Sequence, residues 1–102
     1  MGQDNTKHFD LAAILTVTTG KLFTGMNNLY DILNYLTGES LFTHQIPEAL
    51  QKASRYVLNI YPQLREVSIT DEQIRDMKTA KRFIAEQKRR YGKRLPLIPM
   101  QD

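Results

Sequence analysis

Four runs of apolar residues at three- and four-residue spacing, each closed by a glycine or a proline, constrain this chain more than any other feature. The first, Leu11, Ile14, Leu15 and Thr18, follows Asp10, a residue suited to accept from the free amides of a helix start, and stops at Gly20. After a turn-rich segment from Gly20 to Gly25, the second run places Met26, Leu29, Tyr30, Ile32, Leu33 and Leu36 on a helix ending at Gly38. The third opens at Pro47, whose missing amide hydrogen is not needed in a first turn, and buries Ile46, Leu50, Ala53, Val57 and Ile60 or Tyr61. Pro62 ends it, because proline disfavours helical geometry in the residue before it. Gln63 to Ser68 then reads as a linker that can run extended.

The fourth run carries two start signals. Thr70 and Gln73 match a capping box, and Ile69 and Ile74 occupy the positions of a hydrophobic staple. Ile74, Met77, Ala80, Ile84 and Tyr91 continue an apolar stripe over about five turns to Gly92. The tail from Leu95 to Met100 holds Pro96 and Pro99, so it must be extended, and it is expected to lie across the helical core.

These elements predict a mainly α fold, a compact bundle of about four helices with an extended C-terminal tail. A chain of 102 residues cannot divide into two useful cores, so one domain spanning 1–102 is expected, with 1–9 and 95–102 irregular or extended. With no cysteine, neither disulfides nor thiolate metal sites can brace it, and a reducing compartment suits such a chain. Met1 to Asp10 carries Asp4, Lys7, His8 and Asp10 and lacks the apolar core of a secretory signal. Apolar stretches such as Leu11 to Leu15 fall far short of the roughly 20 residues a spanning helix needs. A cytoplasmic protein with no membrane span is the expectation.

The net charge of +3 conceals an asymmetry. Residues 75–94 hold nine basic side chains against two acids, Asp76 and Glu86, whereas the remainder holds five against nine. The macrodipole favours cations at a helix C-terminus by roughly 0.3–1 kcal/mol each, which accounts for one pair and not for the whole cluster. Lys81, Arg82, Lys88, Arg89, Arg90, Lys93 and Arg94 are therefore the candidate contacts for phosphates or for an acidic protein face, set against the plainer reading of a solvated helix surface. Phe83 and Tyr91 are the only aromatics in that segment, and no interleaved pattern for stacking single strands is present.

Catalytic signatures are lacking. His8 and His44 are too far apart for a zinc motif, and no Walker loop, dinucleotide-binding glycine pattern or nucleophile elbow occurs. His44 beside Glu39, Glu48 or Tyr30 is the one conceivable acid–base group, and hydrogen bonding in the entry to the third helix accounts for it more simply. No enzyme activity, cofactor or metal is expected. Two threonine-glycine helix ends flank the second helix. If the bundle brings Thr18, Thr19 and Thr37 toward Thr43, His44 and Gln45, they form a polar patch for a partner or a small ligand. Tyr35, Tyr56 and Leu58 fall off the buried stripes and are the candidates for a homodimer face.

The segments Leu15-Thr16-Val17-Thr18-Thr19-Gly20-Lys21-Leu22, Tyr30-Asp31-Ile32-Leu33-Asn34-Tyr35-Leu36-Thr37-Gly38 and Leu41-Phe42-Thr43-His44-Gln45-Ile46-Pro47, with the ending Tyr91-Gly92 and Leu95-Pro96, resemble a family of short proteins of tailed bacteriophages and prophages that has no assigned activity. The chain departs from that family in its strongly basic fourth helix. The resemblance implies a context and no residue roles. Small phage proteins without an enzyme signature commonly contact host machinery, CRISPR and nucleotide-signalling defence included. The expected function is thus a small binding protein that antagonises a host protein or ribonucleoprotein in the host cytoplasm by occupying a surface. The alternatives are a nucleic-acid-binding regulator that uses the basic helix, and a sponge for a small anionic signalling nucleotide.

Overall fold

A computed structural model describes residues 6–70, 72 and 75–100. Its elements are β1 (Lys7–Asp10), α1 (Leu11–Thr19), α2 (Met26–Thr37), α3 (Ile46–Ile60), α4 (Met77–Tyr91) and β2 (Arg94–Leu97), with short 3₁₀ turns at Thr43–Gln45 and Pro62–Glu66. The fold is mainly α, a bundle of four helices closed by the extended tail.

α1 is the central element. Leu11, Ala13, Ile14, Leu15, Thr16 and Val17 are all buried, so the helix is enclosed on every side rather than on one stripe. Around it lie α2, contributing Leu29, Ile32, Leu33 and Leu36, and α3, contributing Ala49, Ala53 and Val57. Asp10 caps α1 by accepting from the Ala12 amide at 2.8 Å. Gly20 and Gly38 close α1 and α2 with φ of 76° and 73°, the left-handed geometry a helix C-terminus needs and a side chain resists.

The tail is built in as a strap. β1 and β2 pair antiparallel, Lys7 opposite Leu97 and Asp10 opposite Arg94. Leu97 is buried, and the next residues cross the ends of α2 and α3. Three phenols hold them: Tyr35 donates to the Leu97 carbonyl at 2.8 Å, Tyr56 to that of Ile98 at 2.8 Å, and Tyr61 to that of Pro96 at 2.6 Å. The Met100 amide donates to Leu36 in the last turn of α2 at 2.8 Å, satisfying a carbonyl the helix itself leaves open. Tyr35 and Tyr56 are therefore turned onto this chain's own tail, and Leu58 is half-buried.

Three expectations need correction. Residues 62–66 form a 3₁₀ turn instead of an extended linker, since its three-residue period sets Leu64 and Val67 on the same buried side. Of the two alternatives for the end of the α3 stripe, Tyr61 is the one turned inward, and Ile60 is exposed. α4 starts at Met77, where Asp76 accepts from the Thr79 amide at 2.8 Å and from its hydroxyl at 3.0 Å. Gln73 and Ile74, half of each start signal in the sequence, lie outside the described residues. Met77, which its spacing sets on the buried stripe, is 76% exposed, since the first turn of α4 buries none of its residues. Among the described residues no helix is long and apolar enough to cross a membrane.

Candidate functional site

The buried hydroxyl of Thr16 organises the segment after α1. It donates to the Ala12 carbonyl at 2.8 Å and accepts from the Phe23 amide at 2.9 Å, which folds the loop back along the helix. Phe23 then stacks on Phe83 of α4, ring centroids 5.5 Å apart, while its neighbour Leu22 stays 56% exposed. Lys88 adds a second tie, its ammonium 3.0 Å from the Asp10 carboxylate.

Between this loop and one flank of α4 lies a cleft of about 670 Å³, walled mainly by apolar side chains. Leu22, Phe23 and Ala12 form one side, and Met77, Ala80, Ile84 and Ala85 the other. Lys81 and Lys88 stand at its lip. Sequence reasoning misses this cleft, placing Met77 on a buried stripe and leaving Leu22 and Phe23 in a turn. Two large apolar residues between Gly20 and Gly25 are the available signal, since a turn has no helical face to bury them.

The seven candidate cations do not act alike. Lys81, Arg82, Arg89, Arg90, Lys93 and Arg94 are exposed, and Lys88 is half-buried. Lys88 is committed to Asp10, and Arg94 donates to the His8 carbonyl at 3.2 Å. Arg90 sits 6.0 Å from the Tyr91 ring centre, a cation–π contact on the far side of α4 from Lys81. Lys78, Arg82 and Arg89 follow one another at four- and seven-residue spacing, forming a stripe beside the lip of the cleft. Among the described residues Lys81, Arg89 and Lys93 have no ion-pair partner.

The polar candidates divide. The Thr19 and Thr37 hydroxyls each donate to a carbonyl four residues back, at 2.6 and 2.9 Å, and each accepts an amide two residues on. Both are the same local helix ending. Thr18 and Thr19 line a cleft of about 480 Å³ with Ser54, Arg55 and Arg65, whereas Thr37, Thr43, His44 and Gln45 do not line it. The carbonyl end of α1 borders that cleft, which attracts the two guanidinium groups and disfavours an anion. Thr43 shares a 2.9 Å hydrogen bond with Tyr30, and Gln45 accepts from the Phe42 amide at 2.8 Å. His44 is exposed and stacks on Phe42 at 6.0 Å between centroids. Among the described residues its side chain has no hydrogen bond to Glu39, Glu48 or Tyr30. No group of three or more histidines and carboxylates there could hold a metal ion.

No curated protein and no solved structure matches the chain. A family model does, over residues 9–67. The match runs from the buried Phe9 through α1, α2 and α3 to Val67, taking in the threonine-glycine ends and the Thr43–Gln45 turn and stopping short of α4 and β2. By that match the chain belongs to the family described as Domain of unknown function (DUF7736).

Proposed function

We propose that this chain is a small protein-binding domain, encoded by a phage or prophage, that antagonises a host factor by occupying one of its surfaces. A defence complex such as CRISPR is a fitting target. The observation that carries the reading is the apolar cleft beside α4, with Leu22 and Met77 exposed at its mouth and Lys81 and Lys88 at its lip. Exposed apolar side chains gathered at a recess mark a contact surface, and cations around an apolar centre suit a protein face better than a phosphate backbone. Phe83 and Tyr91 are packed against the core, so the basic helix presents no ring on which to stack a base. The phage setting is supported by the sequence resemblance alone.

The role proposed is non-catalytic, and the acid–base candidate His44 is exposed and stacked on Phe42. The test is affinity purification of the tagged chain from host cells, with and without nuclease, comparing wild type with the Leu22→Asp/Met77→Asp double variant. A host protein that survives nuclease and is lost with the double variant supports the reading. Recovery of nucleic acid alone would replace it with direct binding through Lys81, Arg82, Lys88, Arg89, Arg90, Lys93 and Arg94. Affinity would then fall steeply with salt, each phosphate contact adding about 0.9 to the logarithmic slope for a duplex.

A further inference from the structure

We infer that the cleft beside α4 is a docking groove for an acidic amphipathic helix of a partner protein. This deepens the preceding reading and rests on it. Three features of the groove specify its occupant.

The first is the backbone. One wall is a helix flank, whose backbone from Ala80 onward is bonded along the helix. In the opposite wall the Phe23 amide is taken by Thr16 and the Gly25 carbonyl by Asn28 and Leu29. Along the α4 flank an extended segment would find no strand edge to pair with, whereas a helix brings its own backbone bonds already made. The second is spacing. Met77, Ala80, Ile84 and Lys88 succeed one another at three- and four-residue steps along the wall, the relief into which the i, i+3 and i+7 side chains of another helix fit. Ala80 and Ala85 let that helix approach closely, and the flexible thioether of Met77 adapts to it.

The third is charge. Lys81 edges the groove with no ion-pair partner among the described residues, Lys88 edges it with its charge shared with Asp10, and Lys78, Arg82 and Arg89 continue the cationic stripe beside it, with Glu86 the single acid within α4 itself. A helix seated on its apolar face would turn one flank toward these cations, and carboxylates there complement them. A second copy of the chain would bring its own basic stripe against this one, so a self-contact along α4 is disfavoured.

The experiment selects a displayed library of helical peptides of about four turns against the full chain, then ranks the winners on two exposed-site variants, Ala85→Trp and Lys81→Glu. Both positions are exposed, so the fold is retained, and circular dichroism verifies it. The expected winners repeat Leu, Phe or Met at i, i+3 or i+4, and i+7, and carry an excess of Asp and Glu on one flank. Ala85→Trp should weaken them at least about tenfold. Lys81→Glu should weaken them too, and a lysine placed in the peptide's acidic flank should restore binding to that variant alone. Winners that are basic, that lack the apolar repeat or that bind Ala85→Trp unchanged overturn the inference. So does a concentration-dependent dimer of the chain that Ala85→Trp dissolves. If peptides behave as expected while no host protein is captured, the groove stands and the antagonist reading falls. A captured host protein indifferent to Ala85→Trp removes the groove and leaves the antagonist reading in place.

Discussion

Lys88 places its ammonium 3.0 Å from one carboxylate oxygen of Asp10 while the other oxygen of Asp10 caps α1, so a single side chain joins the basic helix to the central one. The two roles separate by substitution. Asp10→Ala removes cap and pair together and should cost about 1–2 kcal/mol, the cap being the larger share. Asp10→Asn keeps an oxygen for the Ala12 amide, and Lys88→Met keeps the apolar stem. Each should cost only about 0.5 kcal/mol, the worth of a partly exposed pair. Urea denaturation of the three variants checks the ranking. An Asp10→Asn variant as unstable as Asp10→Ala would mean that the ion pair, not the cap, dominates.

Two of the phenols that hold the tail, Tyr56 and Tyr61, predict an alkaline weakness. Burial lifts the Tyr56 and Tyr61 hydroxyls above their ordinary value of 10.0, with Tyr35 adding to the effect at Tyr56. Because the folded values exceed the unfolded ones, this stabilisation is complete below pH 10 and is lost as pH rises through the folded values. Tyr56→Phe and Tyr61→Phe should each cost about 1 kcal/mol at neutral pH and flatten the alkaline loss. Thermal melts between neutral and strongly alkaline pH, read beside tyrosinate absorbance, measure both effects. Equal alkaline loss in wild type and the double Phe variant would assign it elsewhere.

Asp76 makes the opposite prediction at the acid end. The Thr79 amide, and then its hydroxyl, hold this carboxyl below its ordinary value of 3.8. A depressed folded value means that the contribution is present above the unfolded value and fades as pH falls through the folded one. The first turn of α4 should therefore fray in acid. Asp76→Ala should remove about one turn of helix at neutral pH, and Asp76→Asn should keep it and abolish its acid sensitivity. Amide exchange at Thr79 and Ala80 reports this directly. Protection there that is unchanged in Asp76→Ala would show the cap to be dispensable.

Where a helix carries its own ending, the sequence declares it. Asp10, Gly20, Gly38 and Pro62 each act on their immediate neighbours, so α1 begins after Asp10, and α1, α2 and α3 end beside Gly20, Gly38 and Pro62. The start of α4 is harder to place because two caps compete within a few residues, and Asp76 with Thr79 matches the same local chemistry as Thr70 with Gln73. Long-range contacts leave no such mark. Tyr35 and Tyr61 reach Leu97 and Pro96 from 62 and 35 residues away, and nothing in a helical period says that a phenol off the buried stripe will meet a proline-rich strap. The cleft is hidden for a related reason: it lies between α4 and the loop after α1, two segments that only packing brings together. The cation stripe is fully legible, since charge needs no partner to be counted.

The family match ends at Val67, yet the fold does not. Residues 93–102 lie outside it and include Leu97, 2% exposed, and every carbonyl the three phenols engage. Burying a leucine is worth about 2 kcal/mol and each phenol bond about 1 kcal/mol. Together they form a large part of the roughly 5–15 kcal/mol that holds a small domain folded. A chain ending at Gly92 should therefore lose cooperative melting although the whole family-matched segment is present. A synthetic peptide of residues 93–102 added in trans should restore it saturably, and Tyr61→Phe in the truncated chain should weaken that rescue. A truncated chain that melts at the wild-type temperature without peptide would show that the four helices are self-sufficient and the strap is dispensable.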